Sequence, residues 1–386
     1  MVKKLTDSVI YIGCDDADLD LFESQFDVPN GMAYNSYAIM DEKICIMDTV
    51  DKRKTEAWVG NVKETLGDKK ADYLVISHME PDHTGSIKIL AEMFPEMKIV
   101  GNAKTFAFYD QFYSYDISDR KIVVKEGDTL DLGSRTLTFA MAPMVHWPEV
   151  MMTYDSKDKI FFTADAFGKF GTLDTDEDWA CEARRYYFNI VGKYGAQVQS
   201  VIKMIDTLDI QMICPLHGPI LSENLDYYID KYRVWSSFEP EDKGIFIAYA
   251  SIHGNTAAAA MRLKELLESK GAPKVSIADL SREDIAEAVE DAFRYDRMVL
   301  ACSTYNMGMF TPMDRFLNQL KSKDYQNRTV GLIENGTWTP MAAKLMKTQL
   351  ESMKNVKVLN TVVSIKSSLK GETPDAMVKL ADELLG

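Results

Sequence analysis

The chain has 386 residues, 46% of them hydrophobic, and a formal net charge of −15 from 44 Lys and Arg against 59 Asp and Glu. This length exceeds the size at which one hydrophobic core usually stops growing, so two domains are expected. The strong net acidity argues against a surface that follows nucleic-acid phosphates. We therefore expect no nucleic-acid partner.

The amino-terminal segment does not have the pattern of a signal peptide, because Lys3 and Lys4 are followed at once by Thr6, Asp7 and Ser8. No apolar run approaches the roughly 18 residues of a membrane span. The pattern predicts a cytoplasmic protein with no membrane partner. Scattered cysteines without a CxxC pair argue against disulfides, zinc ribbons and iron–sulfur clusters. They are Cys14, Cys45, Cys181, Cys214 and Cys302.

Short strands joined by turns are predicted through the first 220 residues. One hairpin pairs Asn35 to Met40 with Ile44 to Met47, and others are expected within Lys121 to Ala140 and Val150 to Ala164. This pattern of short strands and turns therefore predicts a β-rich layered domain.

A domain boundary is predicted after an aromatic helix from Asn224 to Phe238. The next segment, Glu239 to Gly244, is polar and contains both Pro and Gly, as linkers often do. We predict one domain over residues 1–243 and a second over residues 244–386.

The second domain alternates apolar strands with amphipathic helices, which is the rhythm of a doubly wound parallel sheet. The predicted strands are Ile245 to Ala250, Arg297 to Ala301, Thr329 to Ile333 and Val356 to Leu359.

A dense group of candidate metal ligands follows the predicted strand Asp72 to Ile76. An extended backbone would place His78, Glu80 and Asp82 on one side of the chain. His83 comes next, just before a stretch with helical spacing of apolar residues. Four potential ligands within six residues predict a metal site.

Three more candidates lie far along the chain, each near the end of a strand or close to Pro or Gly. His146 lies in a loop between Pro143 and Pro148, and His217 precedes a glycine. Asp165 closes an apolar strand, where a carboxylate is costly to bury unless it meets a cation. A bridging metal ligand would remove that cost.

A phosphate-binding loop is predicted after the strand that ends at Ala250. Strand, polar loop and helix follow in the order that presents backbone N–H groups, hydroxyls and a helix N-terminus to a phosphate. The loop lacks both the GxGxxG and the GxxxxGK[ST] patterns, and it resembles the phosphate loop of flavodoxins. Its residues are Ser251, Ile252, His253, Gly254, Asn255 and Thr256.

Two further loops lie at the carboxyl ends of predicted strands, where doubly wound folds bind ligands. Tyr305 and Trp338 are candidates to flank an isoalloxazine ring, and Asn or Gly in each loop permits the backbone to turn toward it. The candidates are Ser303, Thr304, Tyr305, Asn306, Met307, Gly308, Asn335, Gly336, Thr337 and Trp338.

The seven candidate ligands, in the pattern HxExDH followed by His146, Asp165 and His217, resemble the di-iron site of flavodiiron proteins. This family joins a metallo-β-lactamase-like αββα sandwich to a flavodoxin-like doubly wound sheet. The hydrolases related to it usually carry His at the position of Glu80. A carboxylate there makes the site more anionic, which suits iron better than zinc.

The resemblance implies which residues bind each iron. His78, Glu80 and His146 would bind one, while Asp82, His83 and His217 would bind the other, with Asp165 as the bridge. Trp147 and Tyr194 lie at positions similar to residues that shape the gas pocket in that family. The implied cofactors are two Fe per chain and one FMN.

The implied activity is reduction of O2 to water, of NO to nitrous oxide, or of both, for detoxification of these gases. Because no rubredoxin-like cysteine pairs or flavin-reductase extension is present, an external donor is expected, such as rubredoxin or a reduced deazaflavin. A homodimer or a dimer of dimers is implied as well. Two alternatives are a metal-dependent hydrolase fused to a regulatory flavodoxin module, and an electron-transfer or gas-sensing module without turnover.

Overall fold

The computed structural model describes residues 2–370 and 373–386 and divides into two compact units, Met1–Arg233 and Val234–Gly386. The predicted linker is partly wrong, because a strand already begins at Asp242 and includes the end of the segment Glu239 to Gly244. The domain boundary after residue 243 stays a prediction.

Two β-sheets form the centre of the first unit. A seven-stranded sheet has the order β1-β2-β7-β8-β9-β10-β11, and a five-stranded sheet has the order β12-β13-β14-β15-β16. The strands are β1 Lys3–Lys4, β2 Val9–Tyr11, β3 Cys14–Asp16, β4 Leu21–Phe22, β5 Phe26–Asp27, β6 Met32–Tyr34, β7 Tyr37–Ile39, β8 Cys45–Met47, β9 Tyr73–Val75, β10 Lys98–Gly101, β11 Lys121–Val123, β12 Thr129–Asp131, β13 Thr136–Met141, β14 Met151–Asp155, β15 Ile160–Phe162 and β16 Met212–Cys214.

Helices of the first unit are short and lie between these strands. They are α1 Thr55–Leu66, α2 Pro81–Thr84, α3 Ile87–Met93, α4 Ala103–Phe112, α5 Trp179–Tyr186 and α6 Gly195–Ile205, with α7 Leu225–Ser236 crossing the division between the units. The inner faces of both sheets meet in one core, which includes Val9 and Val75 from the first sheet and Phe139 and Phe162 from the second. The first unit is therefore an αββα sandwich, as predicted.

The hairpins β7–β8, β12–β13 and β14–β15 form as antiparallel pairs. The start of the hairpin predicted over Lys121 to Ala140 is wrong, because β11 pairs in parallel with β10. The reason is the connection: α4 lies between the two strands, and a helical crossover returns the chain in the same direction.

The second unit has five parallel strands in the order β18-β17-β19-β21-β22, with the short β20 antiparallel to β19. Numbered within this unit, the order is 2-1-3-4-5, which is the flavodoxin-like arrangement. The elements are β17 Asp242–Ala250, α8 Asn255–Ser269, β18 Val275–Asp279, α9 Ile285–Arg294, β19 Tyr295–Tyr305, β20 Gly308–Met309, α10 Thr311–Ser322, β21 Thr329–Asn335, α11 Ala342–Leu350, β22 Lys357–Ile365 and α12 Asp375–Leu385.

The predicted strands of this unit all form, and each is longer than the sequence suggested. Strand β18 was not among them, because its residues are mostly half-buried and lack a strong apolar run. Within the part of the chain that the structure describes, no helix combines the length and apolarity needed to cross a membrane.

Candidate metal centre and flavin pocket

The seven candidate ligands lie in loops and turns that follow β9, β13, β15 and β16. Pro81 begins the one-turn helix α2, and Glu80 precedes it in extended backbone. This turn corrects the prediction that His78, Glu80 and Asp82 face one side, because the helical backbone aims Asp82 elsewhere. The ligands consequently separate into two groups, His78 with Glu80, His146 and Asp165, and Asp82 with His83 and His217.

The first group converges on the Nε2 atoms of two imidazoles. Oε2 of Glu80 lies 3.1 Å from Nε2 of His78 and 3.2 Å from Nε2 of His146. The two Nε2 atoms are 3.3 Å apart. Donor atoms this close, on side chains that are buried or nearly so, could coordinate one cation.

The second group is arranged in the same way, and Asp165 lies between the groups. Oδ2 of Asp82 lies 3.5 Å from Nε2 of His83 and 3.3 Å from Nε2 of His217. Asp165 places Oδ2 at 2.9 Å from Nε2 of His146 and Oδ1 at 3.1 Å from Nε2 of His83. One oxygen of this carboxylate thus faces each group.

Opposite charges at this centre compensate one another. Burial lowers the pKa of His78, but the carboxylates of Asp165 and Glu149 outweigh it and raise the pKa well above its usual range. Burial also lowers the pKa of His146, and hydrogen bonding to Asp165 and Glu80 raises it to about 9. Metal binding at this site would therefore displace protons.

Sequence reasoning missed Glu149, which is 1% exposed. Its Oε1 lies 2.7 Å from Nδ1 of His78 and accepts a hydrogen bond from the Met79 N–H at 2.8 Å. On the other side of the centre, Nδ1 of His217 lies 2.8 Å from the carbonyl oxygen of Ala33. The sequence indicated this residue only through its position, because Glu149 is an acidic residue three positions after His146 and next to an apolar strand.

Trp147 and Tyr194 have different surroundings. The Trp147 ring lies 5.1 Å from the His78 ring, edge to face, and stacks on Phe112 at 6.2 Å. Tyr194 is half-buried with Lys193 over its ring at 6.0 Å, and among the described residues no hydrogen bond or ring contact joins it to a candidate ligand.

The placement of Tyr194 beside the metal centre stays a prediction, whereas the ring of Tyr34 lies 6.0 Å from the His217 ring. Tyr186 lies beside the same imidazole. Its ring is 5.7 Å from the His217 ring, and its buried hydroxyl has no hydrogen-bond partner within the described chain. Burial, together with the charges of Asp165 and Asp82, raises its pKa well above the usual value. The hydroxyl is therefore a neutral donor beside the ligands.

A cavity of about 440 Å³ opens at the carboxyl ends of β17, β19 and β21 in the second unit. All but two of the predicted flavin-binding residues line it, the exceptions being Gly254 and Gly308. Thr339 and Ser367 also line the cavity and were not predicted. The lining residues are Ser251, Ile252, His253, Asn255, Thr256, Ser303, Thr304, Tyr305, Asn306, Met307, Asn335, Gly336, Thr337, Trp338, Thr339 and Ser367.

One end of this cavity has the character of a phosphate site. Gly254 is the N-cap of α8 with φ +82°, and no side chain there hydrogen-bonds to the N–H groups of the first turn. The buried Oγ of Ser251 has no partner among the described residues, and Oγ1 of Thr256 lies 2.8 Å from Oγ of Ser303. Free N–H groups and hydroxyls at a helix N-terminus suit a phosphate.

Large exposed apolar side chains also line the cavity. Trp338 is 85% exposed, Met307 55% and Tyr305 48%. Large exposed apolar side chains beside a cavity are typical of a site that receives an aromatic ligand or a partner. The loop of Gly308 forms the turn into β20, which pairs with the end of β19.

The sequence model of the ODP family beta lactamase matches residues 32–218, and that of flavodoxin matches residues 247–380. The chain is 28% identical to the flavo-diiron protein FprA2 of Clostridium acetobutylicum, covering 91% of both chains. It is 28% identical to the anaerobic nitric oxide reductase flavorubredoxin of Klebsiella pneumoniae, covering 89% of this chain and 73% of that one. The rubredoxin oxygen:oxidoreductase structure from Desulfovibrio gigas aligns over 100% of this chain and 97% of that one, with 26% identity and a TM-score of 0.91.

The chain belongs to the flavodiiron protein family. It spans 58% and 49% of the length of two related diflavin flavoproteins, from Nostoc and Synechocystis. Membership in the flavodiiron family implies two cofactors, a di-iron centre and FMN.

The residues of this flavodiiron protein fit both cofactors. Both side-chain oxygens of Asp82, both ring nitrogens of His83 and Nε2 of His217 are buried without hydrogen-bond partners in the described chain. Such atoms are costly to bury unless a cation satisfies them. The cavity of the second unit combines a phosphate-binding end with a rim of aromatic side chains, and this combination fits FMN.

Proposed function

We propose that this flavodiiron protein reduces O2 to water, NO to nitrous oxide, or both, at a di-iron centre that receives electrons from FMN. The observation that carries the proposal is the pair of ligand groups joined by Asp165, with the carboxylate of Glu80 at the first position. A bound iron pair supplies two adjacent metals from which electrons reach the gas.

The ligand assignment follows the two groups. His78, Glu80 and His146 would bind one iron, Asp82, His83 and His217 would bind the other, and Asp165 would contribute to both. Because these side chains are buried and mutually compensated, they hold their positions without a large reorganisation on metal binding. Glu149 and the Ala33 carbonyl orient the imidazoles of His78 and His217.

Other side chains of the first unit shape the access of the gas. Trp147 covers the His78 ring, and Phe112 stacks on the outer face of Trp147. Tyr186 presents a neutral hydroxyl near His217, which can donate a hydrogen bond to a small bound substrate. An apolar aromatic wall limits water while admitting diatomic gases.

In the second unit, the loop from Ser251 to Thr256 would hold the FMN phosphate, and Tyr305 and Trp338 would flank the ring. Rubredoxin or a reduced deazaflavin is the proposed electron donor. The relative from Desulfovibrio gigas is named for rubredoxin and oxygen, and the flavorubredoxins for nitric oxide reduction. We also propose a cytoplasmic homodimer or dimer of dimers.

The test is consumption of O2 and of NO by the reduced, anaerobically purified protein, measured with gas electrodes. Turnover of either gas supports the proposal, and the ratio of the two rates ranks the substrates. Loss of turnover in Glu80→His, together with a change from iron to zinc, would support the role of this carboxylate. Esterase turnover by a zinc-containing wild-type protein, without gas consumption, would favour the hydrolase alternative.

A further inference from the structure

The two proposed iron positions have equal ligand charges but different surroundings. Apart from Asp165, each has two imidazoles and one carboxylate. Beyond the ligands, Nδ1 of His78 faces the carboxylate of Glu149 at 2.7 Å, while Nδ1 of His217 faces the neutral carbonyl of Ala33 at 2.8 Å. Among the residues that the structure describes, only the first position therefore has an additional carboxylate hydrogen-bonded to a ligand.

Glu149 also determines which nitrogen of the His78 ring is available to a metal. A single oxygen, Oε1, receives the Met79 N–H at 2.8 Å and lies against Nδ1 of His78. A carboxylate only accepts hydrogen bonds, so Nδ1 bears a proton and Nε2 is the ring nitrogen left to bind a metal. That Nε2 points toward Glu80 and His146, at 3.1 and 3.3 Å.

Asp48 is another buried carboxylate close to this centre. Its Oδ1 accepts a hydrogen bond from the Ser77 N–H at 2.7 Å, and among the described residues it hydrogen-bonds to no imidazole. Burial raises its pKa to about 6. Asp48 therefore adds charge nearby without being joined to a ligand.

We propose that Glu149 is a positioning residue that makes the iron bound by His78 the lower-potential member of the pair. The inference rests on the proposed function, because it requires iron at both positions. A carboxylate hydrogen-bonded to a ligating imidazole raises its basicity, and negative charge near an iron favours Fe(III) over Fe(II). Fully reduced flavin would supply the two electrons, one for each iron, and would return to its oxidised form with release of its protons.

The experiment compares wild-type protein with Glu149→Gln in the full-length chain. The amide oxygen of Gln can accept both hydrogen bonds that Oε1 now accepts, so the change removes charge and keeps geometry. Stepwise redox titration, followed by Mössbauer spectra of ⁵⁷Fe-loaded samples, gives a potential for each iron.

We expect Glu149→Gln to retain the wild-type iron content. The potential of the iron that is reduced last in the wild type should rise by at least about 59 mV, which for a one-electron couple is a tenfold change toward Fe(II). The potential of the other iron should rise by less than half as much.

Two variants serve as controls. Asp48→Asn removes an equally buried charge, and Asn tolerates the φ of +54° at this position. Asp48→Asn should not change the potential of one iron more than that of the other. Glu149→Ala removes the acceptor as well as the charge, and it should lower iron affinity by about 10 to 100-fold, as loss of an outer-shell partner typically does.

The inference fails if Glu149→Gln raises the potential of the iron that is reduced first, raises both potentials equally or changes neither potential. A selective shift in Asp48→Asn would contradict it as well. Iron content and gas turnover are measured on the same preparations. An iron-loaded wild type that consumes no gas would contradict the proposed function and leave the comparison of potentials valid, whereas zinc in place of iron would overturn both.

Discussion

The two units of this protein provide their cofactor sites by opposite means. In the first unit, seven ionisable side chains are gathered in the interior, where carboxylates and imidazoles compensate one another's charge. In the second, the described residues that line the cavity include no Lys, Arg, Asp or Glu, and some of its apolar side chains are exposed. The metal site depends on buried charge, whereas the flavin site depends on backbone geometry and neutral donors.

This difference predicts that damage to one site leaves the other intact. The largest effect is expected for Asp165→Ala, because the Asp165 oxygens face His146 of the first group and His83 of the second, and the residue is 1% exposed. Iron affinity should fall by more than about 100-fold, since loss of a mere outer-shell partner already costs 10 to 100-fold. Elemental analysis and flavin absorbance should show iron lost and FMN retained.

The exposed Asp68 offers a matched control, and Asp68→Ala should keep both cofactors. Gas turnover at the wild-type rate in Asp165→Ala would exclude the bridging role. Loss of FMN together with iron would show that the two sites are not independent.

Metal removal should destabilise the first unit selectively. Metal that binds the folded state at 100 times its dissociation constant stabilises it by about 2.7 kcal/mol. Anaerobic chelation should therefore lower the unfolding temperature of the first unit, as followed by scanning calorimetry, and leave flavin fluorescence unchanged until the second unit unfolds. An unchanged first transition would mean that the metal contributes nothing to folding.

Gly254 tests whether backbone geometry controls flavin binding. It has φ +82° with open space around a would-be Cβ, so Gly254→Ala introduces backbone strain without a clash. A left-handed conformation costs an L-residue about 1 to 2 kcal/mol, and FMN affinity should fall by roughly tenfold if binding requires that conformation. Fluorescence titration of the apoprotein with FMN measures the change.

Gly271 supplies the control, because it has φ +84° and equally open surroundings beyond the other end of α8. Gly271→Ala should lose similar stability and keep its FMN affinity. Equal losses of FMN affinity in both variants would assign the effect to general destabilisation.

The smallest effect distinguishes two tyrosines. Tyr186→Phe removes the hydroxyl beside His217 and should lower gas turnover by several-fold without loss of iron, because that hydroxyl has no protein partner among the described residues. Tyr194→Phe should leave the rate unchanged. Steady-state rates with O2 and NO make the comparison, and the reverse pattern would favour Tyr194 as the hydrogen-bond donor.

How much the sequence could predict depended on how local each feature was. The ligand residues His78 and His217 each lie shortly after the end of a short strand, and the resemblance rests on their spacing. The separation of Glu80 from Asp82 was not visible, because it depends on the helical turn that Pro81 begins.

Features that depend on helical register or long-range contact were missed. After α5 the chain passes through a π-helical segment, Tyr187–Val191, and a 3₁₀ turn, Gly192–Tyr194, so a regular helical spacing does not predict the burial of Tyr194. Glu149 reaches His78 from 71 positions away, and no local pattern marks that contact. In the second unit, the cavity-lining loops could be predicted from the sequence, because they lie where the predicted strands end.

Metal and flavin content per chain, measured on anaerobically purified protein, test the central claim most directly. Two irons and one FMN per chain are predicted, with Asp165→Ala losing iron only. Zinc at the site, or a single metal that persists in Asp165→Ala, would contradict a di-iron centre joined by this carboxylate.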